Sequence, residues 1–302
     1  MAFKESFPYS LLIHHHLPFK DYIMSSKKKF KFPHNPPKPS KSYDPSSSGK
    51  VWLYGIHAVM AALKNKKRTI EQLIFLQKTA PELTLLLEKK CPHVSIAPTL
   101  VDEDVFQKVL PKDVVHQGIA LLTSPTSSLS LEDILDQYPQ GPVTLLCLDQ
   151  VTDPQNVGAI LRSAAAFGIQ GLGLTERHSP QITGTLAKAA SGALEITPLI
   201  LLGNLAQSLE LLKKHGFWCL GLDENADQTL SEATLPERVV FVLGSEGEGL
   251  RRLSREKCDL LLKIPTSPLF PTLNVSTSAA ICLYENHRQK NLPQSSKPQE
   301  KS

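Results

Sequence analysis

Three stretches of this sequence gather side chains able to handle a ligand. The first, Asp149 to Gly168, opens on the breaker turn Asp153-Pro154-Gln155-Asn156 and runs on through Gly158, several alanines and Arg162. A guanidinium in an otherwise apolar helix must find an anion, either a carboxylate of the protein or a substrate. The second, Gly244-Ser245-Glu246-Gly247-Glu248-Gly249-Leu250, sets two acids among glycines. Without side chains there, backbone amides can come close to a bound group. The third, Ile264 to Ser276, combines Pro265, Thr266, Pro268, Pro271, Thr272 and Asn274. The glycine spacing is not GxGxxG, and no Gly-Lys-Ser/Thr is present, so a dinucleotide fingerprint and a Walker loop both fit poorly.

Each stretch follows an apolar run that reads as a buried strand: 143–148, 239–243 and 260–264. Asn156 then sits at a helix mouth just beyond a strand's carboxyl end, where open α/β sheets bind ligands. The spacing predicts further strands at 171–175, 196–201 and 218–222. It predicts helices at 182–194 and 205–215 and a last one from Asn274 towards His287. Such alternation means an α/β fold with a mostly parallel sheet covered on both faces. Residues 51–122 form a separate small α/β module. It has a helix through Ala61 to Leu63, strands at 70–76, 94–96 and 118–122, and helices at 81–90 and 101–110. Its turn Lys64-Asn65-Lys66-Lys67-Arg68 is either an RNA contact or an exposed loop. Residues 123–140 are a polar linker with one helical turn near Leu131 to Leu135, and 141–290 form the second domain.

Charge is unevenly spread. Residues 1–50 carry nine lysines against Glu5, Asp21 and Asp44, a balance of +6, which leaves −2 for the remainder of a chain whose total is +4. They read as a disordered basic arm, with Met24 as an alternative start, and 291–302 as a disordered tail. A nucleic-acid surface on the folded body must therefore be a local patch. The five cysteines are widely spaced and never in a CxxC pair, which argues against a disulfide framework or a metal site and fits a reducing, cytoplasmic setting. No apolar run approaches the roughly 18 residues of a membrane span.

Taken together, the three stretches resemble the motifs DPxNxGAxxRxAxAFG, GxEGxGL and IPMxGxxxSLNVSxAxAI of the SpoU, or TrmH-type, RNA ribose 2′-O-methyltransferases of the SPOUT superfamily. They fall here at 153–168, 244–250 and 264–281, in the family's order. YGIHAV and HQGIA, at 54–59 and 116–120, resemble the ends of the ribosomal-protein-like RNA-binding module found before this catalytic domain. GSEGEGLRRLSREKCD and KAASGALE are most similar to the RlmB-like subfamily, which modifies a guanosine ribose of large-subunit (23S) ribosomal RNA.

The resemblance implies a SPOUT-type catalytic domain with a C-terminal deep trefoil knot. It also implies S-adenosylmethionine as cofactor, ribosomal RNA as partner and a homodimer that completes the active site, with no membrane or metal involved. Catalytic positions carry over to Asn156, Arg162, Glu246, Thr272 and Asn274, and cofactor contacts to Gly244, Ile264 and Leu273. A ribose 2′-hydroxyl must lose its proton as it attacks a methyl group. Arg162 stays protonated and is suited to stabilising the developing alkoxide or a phosphate. Glu246 either accepts the proton or fixes Asn156 or Arg162. Lys188 and Ser191 either touch RNA or cap and pack. The third motif's usual Met and Gly are Thr266 and Pro268, and its Ser is Thr272. The same reaction on transfer RNA, and a non-catalytic RNA-binding or ribosome-assembly role, are the alternatives.

Overall fold

A computed structural model describes residues 49–291, apart from Ser95 and His178. The basic arm up to residue 48 and the tail from 292 lie outside the described residues. The first sheet contains β1 (Val51–Tyr54), β2 (Ile70–Leu76), β3 (Thr99–Val101) and β4 (Ile119–Thr123), in the order β1-β4-β2-β3. Strand β4 pairs antiparallel with both β1 and β2, whereas β2 and β3 are parallel. Helices α1 (Ile56–Lys64), α2 (Ala80–Lys90) and α3 (Glu103–Val109) cover it. Of the strand expected at 94–96, the described residues Val94 and Ile96 lie outside any strand, and the pairing segment is β3. Val94 and Ile96 pack on the core instead, so they satisfy the apolar pattern without a ladder.

The second sheet is wholly parallel. Its strands are β5 (Val143–Asp149), β6 (Gly171–Thr175), β7 (Leu199–Leu202), β8 (Trp218–Leu222), β9 (Gln228–Thr229), β10 (Arg238–Gly244) and β11 (Leu260–Lys263). They lie in the order β7-β6-β5-β10-β8-β11-β9. Every residue of β5 is buried, as a central strand of a two-faced parallel sheet requires. From β5 the chain builds outward through β6 to β7, then crosses to the other side, and β10 later fills the place between β5 and β8. That reversal makes a topological switch point at the carboxyl ends of β5 and β10, where Asp149 and Gly244 are register partners; open α/β sheets bind ligands at such points.

Helices α4 (Leu131–Gln137), α5 (Pro154–Ala166), α6 (Gly184–Ala190), α7 (Leu205–Lys214), α8 (Arg252–Lys257) and α9 (Val275–Lys290) complete the fold. Helix α4 has a reciprocal cap, with Ser130 and Asp133 each accepting the other's backbone N–H. It buries Leu131, Ile134 and Leu135, while Leu129 pairs with β7, so the polar linker is packed on the second sheet. The helix expected over 182–194 ends at Ala190. Ser191 and Gly192 turn left-handed, at φ 51° and 95°, before a short 3-10 turn at Ala193–Glu195. A side chain on Gly192 would meet Ala61 of α1 at 2.9 Å, so the break lets the two units approach. Helix α9 buries Ala279, Cys282 and Leu283, and Asn286 donates to Thr144 Oγ1 at the start of β5, 2.9 Å away. No described helix is long and apolar enough to cross a membrane.

Candidate active site

Three loops leave the carboxyl ends of β5, β10 and β11 and meet at one carboxylate. Asn156 is in the first turn of α5, a helix capped by Asp153 with Pro154 at its first position, which suits proline's fixed φ and missing N–H. Asn156 Nδ2 donates to Glu246 Oε1 at 3.0 Å. Asn274 Nδ2 donates to the same oxygen at 2.5 Å and to Asn156 Oδ1 at 3.0 Å. Asn274 also caps α9, its Oδ1 accepting from Ser276 N at 2.8 Å, so one side chain starts the last helix and reaches the cluster. Glu246 Oε2 has no partner among the described residues. Its first oxygen therefore ties three loops together, and the second stays open.

The loop that carries Glu246 is fixed by its own backbone. Gly249 N donates to Ser245 O at 3.0 Å, closing a tight turn in which Gly247 and Gly249 adopt φ 88° and 68°. A side chain on Gly244 would lie 2.0 Å from Gly249 C, so this glycine is required by the loop folding back on itself. Just beyond, Arg251 closes on Asp149. Its backbone N and Nε donate to the two oxygens of this wholly buried carboxylate at 3.1 and 2.6 Å. Sequence reasoning gave neither residue a role. The signal was there, because an acid ending a fully buried strand must be paired.

The third loop accommodates its prolines. Phe270 N donates to Ser267 O at 3.0 Å, so Ser267-Pro268-Leu269-Phe270 is a β-turn with Pro268 at the second position, which favours proline. Thr266 Oγ1 donates to Pro271 O at 2.9 Å. Ile264 follows β11 directly, and Leu273 precedes Asn274, 38% exposed. Thr272 is exposed, two residues before Asn274, and makes no side-chain hydrogen bond to the Asn156–Glu246–Asn274 cluster.

Arg162 is not in that cluster either. Six residues after Asn156 on α5, it stands about 9 Å further along the axis and on another side of the helix. Its side chain is exposed, has no carboxylate partner among the described residues, and faces a cleft between the two units. Glu246 thus fixes Asn156 and Asn274, and leaves Arg162 free of it. Beside the cleft, Lys188 donates to Val115 O at 2.5 Å and lies 5.8 Å from the Tyr54 ring centre, and burial lowers its pKa. It is a strut between the units. Ser191 ends α6 in left-handed conformation and lines the cleft. Under both lies a buried ion pair, Arg68 to Glu195 at 2.6 Å, with side chains 1% and 6% exposed. Arg68 Nε and Asn65 Nδ2 both donate to Glu195 Oε2, at 3.1 and 2.7 Å, and Arg68 also reaches Ser124 O. Among the described residues, no group of three or more His, Cys, Asp or Glu is arranged to hold a metal ion.

The sequence profile of the SpoU rRNA Methylase family matches residues 144–284, and that of RNA 2′-O ribose methyltransferase substrate binding matches 52–129. The chain is 35% identical over 239 residues to the 23S rRNA (guanosine-2′-O-)-methyltransferase RlmB of Neisseria meningitidis serogroup B, covering 79% of this chain and 95% of that protein. It is 36% identical to RlmB of Salmonella typhimurium, covering 79% and 98%. Its fold matches the SpoU methyltransferase AviRb from Streptomyces viridochromogenes, solved in complex with the cofactor AdoMet. That match has a TM-score of 0.68 at 19% identity and covers 82% of this chain and 92% of the other.

Proposed function

The chain belongs to the SpoU rRNA methylase family, and on that premise we propose that it methylates a ribose 2′-hydroxyl of large-subunit (23S) ribosomal RNA, at a guanosine, using S-adenosylmethionine. The observation that carries this is the Asn156–Glu246–Asn274 cluster, built at the switch point where the strand order reverses.

The donor set at these strand ends fits the cofactor. The glycine-rich turn from Gly244 and the loop from Ile264 to Leu273 offer main-chain groups beside the exposed apolar side chains of Phe270 and Leu273. Polar backbone next to an apolar wall suits a purine and an amino-acid end group. When bound, the cofactor supplies an electrophilic methyl group on a sulfonium. The residues of the chain do the rest. Glu246 Oε1 holds both asparagines, and Oε2 is where the hydroxyl proton goes. Asn156 and Asn274 orient the ribose, with Thr272 beside them. Arg162, always protonated, stabilises the developing alkoxide or the phosphate next to it.

Arg162 stands apart from the cluster within one chain, so the active unit is a homodimer in which two copies complete the site. Leu269 and Tyr284, at 95% and 54% exposure, give such a partner apolar side chains to cover. Residues 51–122 act as the RNA-binding domain and 141–290 as the methyltransferase domain, working in the cytoplasm. The C-terminal segment forms a deep trefoil knot, a reading supported by β10 and β11 each lying between earlier strands before α9 returns to α5.

The test is transfer of labelled methyl from S-adenosylmethionine to separate pools of unmodified large-subunit ribosomal RNA and transfer RNA, followed by 2′-O-methyl mapping. Label at one guanosine ribose of the ribosomal RNA is the expected result. Label in transfer RNA alone overturns the substrate, and label in neither, with folded protein, overturns the reaction.

A further inference from the structure

The cleft that Arg162 faces has a volume of about 810 Å³ and lies between α1 with its following turn and the segment from α5 to the 3-10 turn at Ala193–Glu195. Lys64, Lys66, Lys67, Lys90 and Arg162 line it, and all five are exposed. None forms an ion pair among the described residues, although other exposed cations such as Arg252 and Arg288 do. Glu195 is the one acid in the cleft wall, and both its oxygens are taken by Arg68 and Asn65. The chain beyond residue 50 sums to −2, so five uncompensated cations around one hollow are not the by-product of a basic surface. Like charges held this close raise a local positive potential that only an anion relieves.

The walls of the hollow are fixed and partly apolar. The Arg68–Glu195 pair, the Tyr54–Thr185 hydroxyl contact at 2.9 Å and the Lys188–Val115 bond lock the units on either side. Ile56, Met60 and Ile196 add hydrocarbon to the lining, with Ile196 72% exposed. A double helix of RNA presents phosphates and keeps its base faces stacked inside, whereas an unpaired strand offers both phosphates and base faces. We propose that this cleft holds the phosphodiester backbone of an unpaired RNA strand and leads the target nucleotide to Arg162. The inference rests on the methyltransferase reading for its direction towards Arg162, but the binding itself can be tested apart from catalysis.

The full-length protein is titrated with a labelled single-stranded uridine 20-mer and with a 20-base-pair RNA duplex over a salt series. The variants are Lys64→Gln/Lys66→Gln/Lys67→Gln, the single Lys90→Gln, and a control, Lys108→Gln/Lys112→Gln/Lys214→Gln, in exposed lysines outside the cleft. Each single-strand phosphate contact contributes about 0.7 to the slope of log affinity against log salt, so the cleft triple variant loses about 2 and Lys90→Gln about 0.7. The control keeps the wild-type slope. A cleft variant with the wild-type slope, or a control that loses as much, overturns the proposal. Duplex binding with the same lysine dependence overturns the unpaired strand. Methyl transfer is read on the same wild-type preparation. Transfer with no cleft effect removes this inference and leaves the function standing, whereas a cleft effect without transfer does the reverse.

Discussion

Glu195 and Glu246 each gather partners from distant parts of the chain, yet they are built in opposite ways. Glu195 is buried and met by a guanidinium, Arg68, which lies 127 residues away in sequence. Glu246 is exposed and met by two neutral amides, from 90 residues before it and 28 after it. Removing a charge from water is costly unless its partner is also charged, and such a pair then holds one geometry. An exposed carboxylate keeps its hydration and a free oxygen, and remains available to a ligand. The first arrangement fixes the frame between the units. The second joins three loops and leaves one carboxylate oxygen open.

The contrast is tested most strongly by Arg68→Ala. It leaves Glu195 buried without its cation and is expected to cost about 3–5 kcal/mol of stability in urea denaturation. A loss below about 1 kcal/mol would place the interlock elsewhere. Next is Arg162→Ala, expected to lower turnover on the order of 10²–10³-fold while leaving the unfolding midpoint unchanged, because the side chain is exposed and unpaired. Near-wild-type turnover removes Arg162 from the reaction. Glu246→Gln keeps an acceptor for both asparagines and removes the proton acceptor. It is expected to lower kcat about 10²-fold at unchanged stability, and a loss in KM alone would make Glu246 a positioning residue. The smallest effect belongs to a buried group with no charge to settle. Burial pushes the Cys147 thiol up to about 12, so iodoacetamide at pH 8 should leave it unlabelled in the native protein and label it fully in denaturant. Rapid native labelling would show that the sheet opens at β5.

The strand ends and the first turn of α5 were legible because they rest on local rules, such as apolar runs bounded by breakers and a proline at a helix start. The clustering of Asn156, Glu246 and Asn274 was legible only through motif order, since no local rule brings residues 118 positions apart to one oxygen. The interlock was not legible. Arg68 ends a run of lysines that reads as a solvated turn, and nothing in that run marks it as the one cation that goes inside. Helix α6 was drawn too long because Ser191 and Gly192 break it for the sake of α1, a tertiary reason. Pro268 looked foreign to its motif, but it occupies a turn position where its fixed φ is wanted.

Asn274 carries a consequence for the time course of synthesis. Domains emerging from the ribosome fold in order from the N-terminus, and the first sheet and β5 can take shape early. The carboxylate cluster waits for the loop after β11, and that loop is held by a cap on α9, the last described helix. Any nascent chain that has not yet released this helix lacks the cap that holds Asn274 beside Glu246. The three loops are therefore joined only once nearly the whole described chain has emerged.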